Sequence, residues 1–249
     1  MNGPLIDVTR TGNVTIVRLD RPPANALDPT LLRAGADVID DLLADPPGAV
    51  VLTGTGAFFS GGADLRLVPD LPPDAQAELT RVFNRMFAAW YQFPRPVVTA
   101  VNGHAVAGGL VLALCGDHRV VGTSGRFGLT EVKVGIPFPS VAMAIVQGEL
   151  TAPVARRLIV HAALFDAQTA FDLDLFDERV EDDDVLDRAV EVARDLAAHP
   201  AATYEFVKLR MRGGALERQR GQFGGATAAG DAIADARTAA GKVLDPGSE

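Results

Sequence analysis

Apolar and polar positions change their spacing several times along this chain, and each change marks an element. Near the start, Asp7 and Thr9 alternate with Ile6 and Val8, the period of a half-buried strand. Gly12-Asn13 reads as a turn, and Val14 to Leu19 as a second strand ended by Arg21-Pro22-Pro23. Asp28 followed by Pro29 is an N-cap with proline in the first helical turn. A helix follows from about Pro29 to Ala44, with Leu31, Leu32, Val38, Ile39, Leu42 and Leu43 on or near one face. Ala49 to Thr53 and Val97 to Val101 are short, continuously apolar runs, as strands buried on both faces of a parallel sheet require. Between them lie a glycine-rich loop, Gly54 to Gly62, and a helix from about Pro73 to Phe93 stopped by Pro94 and Pro96. Asn102-Gly103 turns the chain, Gly108-Gly109 opens an apolar helix through Cys115, and His118 to Val121 is a further strand. Beyond Gly148, segments 153–164, 167–173, 184–198, 200–211 and an alanine-rich stretch from Ala226 to Val243 read as helices. The sequence of strand, helix, strand, glycine turn and helix predicts an α/β fold.

Composition narrows the class without changing this picture. The 249 residues are 48% hydrophobic and 22% charged, with a formal charge of −9. That is the profile of a globular chain, and the acidity argues against nucleic acid as a partner. A phosphorylated small ligand stays compatible, because backbone N–H groups and a few local cations can hold one. The opening MNGPLIDVTR lacks the apolar core of a signal peptide, and no uncharged apolar run is long enough to span a membrane. The expected location is the cytosol. The one cysteine, Cys115, sits in the apolar run Leu112 to Cys115 and reads as a small buried hydrophobe. Asp182-Asp183-Asp184 reads as a solvated loop and N-cap, and the four histidines have no zinc-ligand spacing, so no metal is expected.

Three segments carry candidate chemistry. In Phe58 to Leu65, the small residues Ser60, Gly61 and Gly62 let backbone approach a ligand, and Asp64 could cap a following helix. In Val101 to Gly109, a strand and turn lead into a helix start whose free N–H groups suit a developing anion. In Phe127 to Pro137, Glu131 stands among apolar residues, where burial would raise its pKa and fit it for proton transfer. Each has a plainer alternative: ordinary strand-to-helix turns for the first two, and for Glu131 an exposed side chain paired with Lys133 or Arg126. His104, near the second turn, could line the pocket, with a packed or hydrogen-bonded structural histidine as the plainer reading.

Taken together, these segments resemble the crotonase (enoyl-CoA hydratase/isomerase) superfamily over nearly the whole chain. Leu19 to Leu27 is similar to the family's "RP…NAL" turn, Val51 to Leu65 to its "G…FSAGADL" element, and Pro96 to Gly109 to its "KPVIAAVNGxAxGGG" element with Arg95 for the lysine. Ala167 to Val180 and Pro200 to Lys208 resemble its later "A…GLVDEVV" and "P…K" stretches. The resemblance implies a spiral of ββα units over residues 1–195 and a C-terminal helical region over 196–249 that packs against a neighbour in a homotrimer or dimer of trimers. It implies an acyl-CoA thioester as substrate, with coenzyme A part of that substrate and no separate cofactor.

By the same resemblance, the N–H groups of Ala63 and Gly108 form an oxyanion hole, and Gly61, Gly62, Asp64 and Leu65 lie along the coenzyme A. Arg237 or Lys242 could hold its phosphates, though the family's C-terminal "F…KR.P.F" is not visible. The hydratases of the family use two glutamates; the first position falls on Val111, which can neither bind nor deprotonate water, and the second on Glu131. One carboxylate resembles the Δ3,Δ2-enoyl-CoA isomerases, in which a single group carries a proton from C2 to C4. Phe138-Pro139 replaces the "GxxPGxGG" stretch of typical hydratases, so Phe138 is expected to line the acyl pocket. A hydratase with an unidentified second acid, or an acyl-CoA binding protein without catalysis, are the alternatives.

Overall fold

In the computed structural model, residues 4–63, 72–136 and 138–222 are described. Two antiparallel strands, β1 (Ile6–Thr11) and β2 (Val14–Leu19), are followed by helix α1 (Pro29–Ala44). Three turns of strand, strand and helix come next. They are β3 (Ala49–Gly54), β4 (Phe58–Ser60) and α2 (Pro73–Tyr91); then β5 (Val97–Val101), β6 (His104–Val106) and α3 (Gly108–Ala113); then β7 (His118–Val121), β8 (Phe127–Gly128) and α4 (Ser140–Glu149). The rest is α5 (Ala152–Ile159), β9 (Leu164–Phe165), α6 (Ala167–Asp172), β10 (Glu178–Arg179), α7 (Val185–Ala197) and α8 (Ala201–Gln222).

In each ββα turn the first strand joins a six-stranded sheet, ordered β1-β2-β3-β5-β7-β10, and the second joins a four-stranded sheet, ordered β4-β6-β8-β9. All neighbours are parallel except β1 with β2 and β8 with β9. This is the expected α/β spiral.

The apolar runs of β3 and β5 are buried because both faces of the large sheet are covered. Val50, Leu52, Val97 and Val101 enter the main core with residues of α1 to α4. Ala49, Val51, Val98 and Ala100 face a second cluster formed by Val185, Ala189, Val190, Val192 and Ala193 of α7. Alternate side chains of a strand point to opposite faces, so one continuous apolar run serves both layers. Asp28 caps α1 as expected, accepting from the N–H groups of Thr30 (3.1 Å) and Leu31 (2.9 Å).

Several expectations are corrected. Leu43 lies 46% exposed, off the buried face of α1. The helix expected to continue through Phe93 ends at Tyr91, and that expected through Cys115 ends at Ala113, where Cys115 is buried and unpaired by any disulfide. The segment 153–164 is helical only to Ile159 and finishes in β9. Asp182–Asp184 forms a 3-10 turn; Asp184 makes no side-chain cap to α7, and Asp182 instead accepts from Ser124 N–H at 3.0 Å. The helix α4 was not expected at all. The stretch Ala226 to Val243, with Arg237 and Lys242, falls outside the described residues.

Candidate active site

The ends of three neighbouring strands assemble the site. In the small sheet β4 lies beside β6, with Ser60 opposite Ala105, and β6 beside β8, with Val106 opposite Gly128. The chain leaving each strand therefore emerges at the same edge, the usual place for a ligand in an open parallel sheet.

Gly62 follows β4 with φ +72° and is buried. A Cβ at this position would stand 2.6 Å from Val106 O and 2.7 Å from Gly108 N, so glycine alone lets the two loops touch. Gly109 is held as closely, since its Cβ would meet Ser60 O at 2.0 Å. The contact sets Gly62, the residue before the Ala63 amide, against Gly108. Neither the Ala63 nor the Gly108 amide has an acceptor among the described residues.

Their directions follow from the carbonyls that share their peptide planes. In a trans peptide the C=O and the following N–H point opposite ways. Gly62 O accepts from Leu27 N–H at 2.9 Å, which turns Ala63 N–H away from the Ala24–Leu27 turn. Ala107 O accepts from Leu110 N–H (3.0 Å) and Val111 N–H (3.3 Å), which turns Gly108 N–H out from the start of α3. Ala107 itself has φ 51° and ψ −130°, a conformation costly for a residue with a Cβ, and it is tied to the third strand by its N–H to Gly128 O at 2.8 Å. The Gly108 amide is thereby aimed at some cost in backbone strain, as is common where backbone serves a site.

Beyond β8 the chain passes through buried Leu129 and half-buried Thr130 into a 3-10 turn, Glu131–Val134. Glu131 is 6% exposed and its Oε2 has no hydrogen-bond partner among the described residues. Burial raises its pKa to about 7, and hydrogen bonds from its own amide and that of Thr130 oppose only part of the rise. The alternative of an exposed carboxylate paired with Lys133 or Arg126 is not what the structure has. Lys133 is exposed, and among the described residues no ion pair reaches Glu131.

Val111, one turn into α3 from Gly108, is 1% exposed and belongs to the main core. Phe138 is half-buried and packs against the same core. Leu27 and Phe87 flank Gly108, each with an atom 3.4 Å from where its Cβ would be. Gly61 is held by its N–H to Ala24 O at 2.8 Å. Asp64 and Leu65 lie outside the described residues. The His104 ring is half-buried and packs on Phe58 with centroids 4.7 Å apart.

What sequence reasoning missed is that Asn25, Leu27 and Ser60 hold the backbone. The signal for the first two was the "RP…NAL" turn, whose asparagine sits at φ 48° and donates to Phe58 O at 2.8 Å; Ser60 stood out only as a small residue. Among the described residues no group of three His, Cys, Asp or Glu side chains could hold a metal ion.

The enoyl-CoA hydratase/isomerase family model matches residues 9–226. A probable enoyl-CoA hydratase of Mycobacterium avium is 34% identical over 189 residues, 76% of this chain and 74% of that protein. The carnitinyl-CoA dehydratase of Escherichia coli is 30% identical over 200 residues, 77% of this chain and 74% of that protein. The apo structure of an enoyl-CoA isomerase of Mycobacterium tuberculosis superposes with a TM-score of 0.83 at 31% identity, covering 93% of this chain and 98% of that one. The strand-end glycines, the paired backbone amides and the buried glutamate thus occur in a chain that belongs to the enoyl-CoA hydratase/isomerase family of the crotonase superfamily.

Proposed function

We propose that this chain is a Δ3,Δ2-enoyl-CoA isomerase in which Glu131 carries the proton. The carboxylate takes a proton from C2 of a 3-enoyl-CoA. The C–H electron pair moves toward the thioester, and the resulting enolate oxygen accepts from the N–H groups of Ala63 and Gly108. Glu131, now protonated, returns the proton to C4, and the double bond comes to rest between C2 and C3. Two backbone donors and one base that becomes the acid suffice for this shift.

The carrying observation is a single buried carboxylate with a pKa of about 7, on a site where the family's other acid position holds Val111. A group that titrates near neutrality is matched to giving and taking one proton. Hydration is the second reading, favoured by the hydratase and dehydratase names of the relatives. It asks in addition for a group that orders water, and Val111 offers none.

The test is an assay with two substrates. Conversion of 3-hexenoyl-CoA to the 2-enoyl product without hydration of crotonyl-CoA is the expected result. Efficient hydration transfers the assignment to the second reading. Binding of acyl-CoA with turnover of neither substrate leaves an acyl-CoA binding protein.

The chain is further assigned as a homotrimer or dimer of trimers. This is supported by Phe206, Val207 and Met211 of α8, which are 60%, 56% and 71% exposed in the isolated chain and suit burial against a second copy.

A further inference from the structure

We propose that Ser60 is a positioning residue for the Ala63 amide, acting through the backbone of Gly62. The inference rests on the oxyanion role assigned above and adds a side chain to a device otherwise made of backbone.

Gly62 is fixed on both sides. On its carbonyl side, Leu27 N–H donates to Gly62 O at 2.9 Å. On its amide side, Gly62 N–H donates to Ser60 Oγ at 3.1 Å. The same hydroxyl donates to Asn25 O at 2.8 Å. One hydroxyl thus uses its proton on the Ala24–Leu27 turn and a lone pair on the glycine loop. A hydroxyl that is donating becomes a better acceptor, so the two bonds strengthen each other.

Ser60 is 0% exposed, so water cannot replace it. The turn it reaches is itself held firmly, since Asn25 Nδ2 donates to Thr55 O (3.1 Å) and Phe58 O (2.8 Å) and Asn25 Oδ1 accepts from Arg21 N–H (2.9 Å).

Gly62 needs such a hold more than another residue would. With φ +72° and no Cβ, its backbone has more intrinsic freedom than another residue's, and hydrogen bonds add to the close packing against Val106 and Gly108 in fixing its two flanking peptide planes. Removing the Ser60 hydroxyl loosens the Gly61–Gly62 plane, and through the shared Gly62 Cα it loosens the next plane, which carries Ala63 N–H and has the Leu27 hydrogen bond alone. The donor stays chemically present and loses its direction. Ligand binding spread over a long thioester should change little, whereas stabilisation of the enolate, which depends on donor geometry, should fall.

The experiment compares wild type with Ser60→Ala and Ser60→Cys on 3-hexenoyl-CoA, and records the infrared C=O stretch of bound crotonyl-CoA carrying a 13C label in the carbonyl. For Ser60→Ala the expected result is a fall in kcat of about tenfold or more with KM within about twofold, together with a carbonyl band moved back toward its position in free solution. Ser60→Cys, whose thiol is a weak donor and acceptor, should lie between. If Ser60→Ala does not fold, Ser60→Cys alone decides, by the same two readouts.

A role confined to packing would lower thermal stability and leave the carbonyl band where it is in wild type. Unchanged kcat and band in the folded variants overturn the proposal. A wild-type protein that turns over 3-hexenoyl-CoA but does not shift the bound carbonyl overturns the oxyanion assignment itself, whatever Ser60 does.

Discussion

Glu131 couples activity and stability in opposite senses. Its folded pKa of about 7 lies above the ordinary value of 4.5. The folded state therefore holds a proton that the unfolded chain has released between those two pH values. Stability conferred by the protonated form is full below about pH 4.5 and is lost as pH rises through about 7, with a total of about 3 kcal/mol at stake. On the mechanism proposed above, activity runs the other way, since proton abstraction needs the carboxylate. We expect kcat/KM for isomerisation to rise through pH ~7 and then level. Glu131→Gln should lose at least about 1,000-fold in kcat yet melt higher than wild type at pH 8. Melting curves at pH 5 and pH 8 beside the pH–rate profile check both halves; a variant that melts lower at pH 8 would mean the buried charge is compensated. At this scale the burial of Glu131 and the close backbone approach at Gly62 were legible, because an acid among apolar residues and adjacent small residues leave a mark in the letters. The sequence picked out Ser60 only as a small residue and Leu27 only as part of a turn; their hydrogen bonds were hidden, because they depend on one hydroxyl and one backbone amide meeting a loop some thirty-five residues away.

Elements with enough length declared themselves. Helix α1 was legible to its ends because Asp28, Pro29 and the apolar spacing all agree, and β3 and β5 because buried parallel strands are continuously apolar. The small sheet was not legible. Its strands are two or three residues long, too short for alternation to show, and they exist because β6 finds β4 and β8 as neighbours. Helix α4 was missed for another reason: Ala142, Ala144, Ile145 and Val146 are all buried, so no polar stripe marks its period. The attachment of α8 was equally hidden. Arg212, 2% exposed, donates to the carbonyls of Tyr91 (3.0 Å), Cys115 (2.9 Å) and Gly116 (2.8 Å) and pairs with Asp117 at 3.0 Å. Lys208 donates to Asp117 at 2.6 Å and to Arg95 O at 3.1 Å. Arg212→Ala leaves a buried carboxylate and three carbonyls short of a donor and should cost about 3–5 kcal/mol. Urea denaturation measures this; a loss under about 1 kcal/mol would mean that α8 is held by other contacts.

For the whole molecule, charge and composition argued against nucleic acid as a partner but could not indicate assembly. The exposed Phe206, Val207 and Met211 appear only once α8 has been turned so that Lys208, Arg212, Ala215 and Leu216 face inward. Light scattering behind gel filtration should give a mass three or six times the 26.2 kDa of one chain. Paired Phe206→Asp and Met211→Asp changes should shift it toward one. A monomer in the unmodified protein would leave that apolar face without the second copy assigned to it.

The fastening of α8 has a bearing on how the molecule is made. Helix α3, whose first amide points into the site, ends at Ala113, and the carbonyls just beyond it are held by a guanidinium almost a hundred residues later. During synthesis the N-terminal spiral can gather as it leaves the ribosome, but Asp117 stays without its two cations until Lys208 and Arg212 have emerged. A nascent or prematurely stopped chain would thus carry its glutamate and both amide loops while their support was still unfinished. That support is complete only once Lys208 and Arg212 have closed on Asp117.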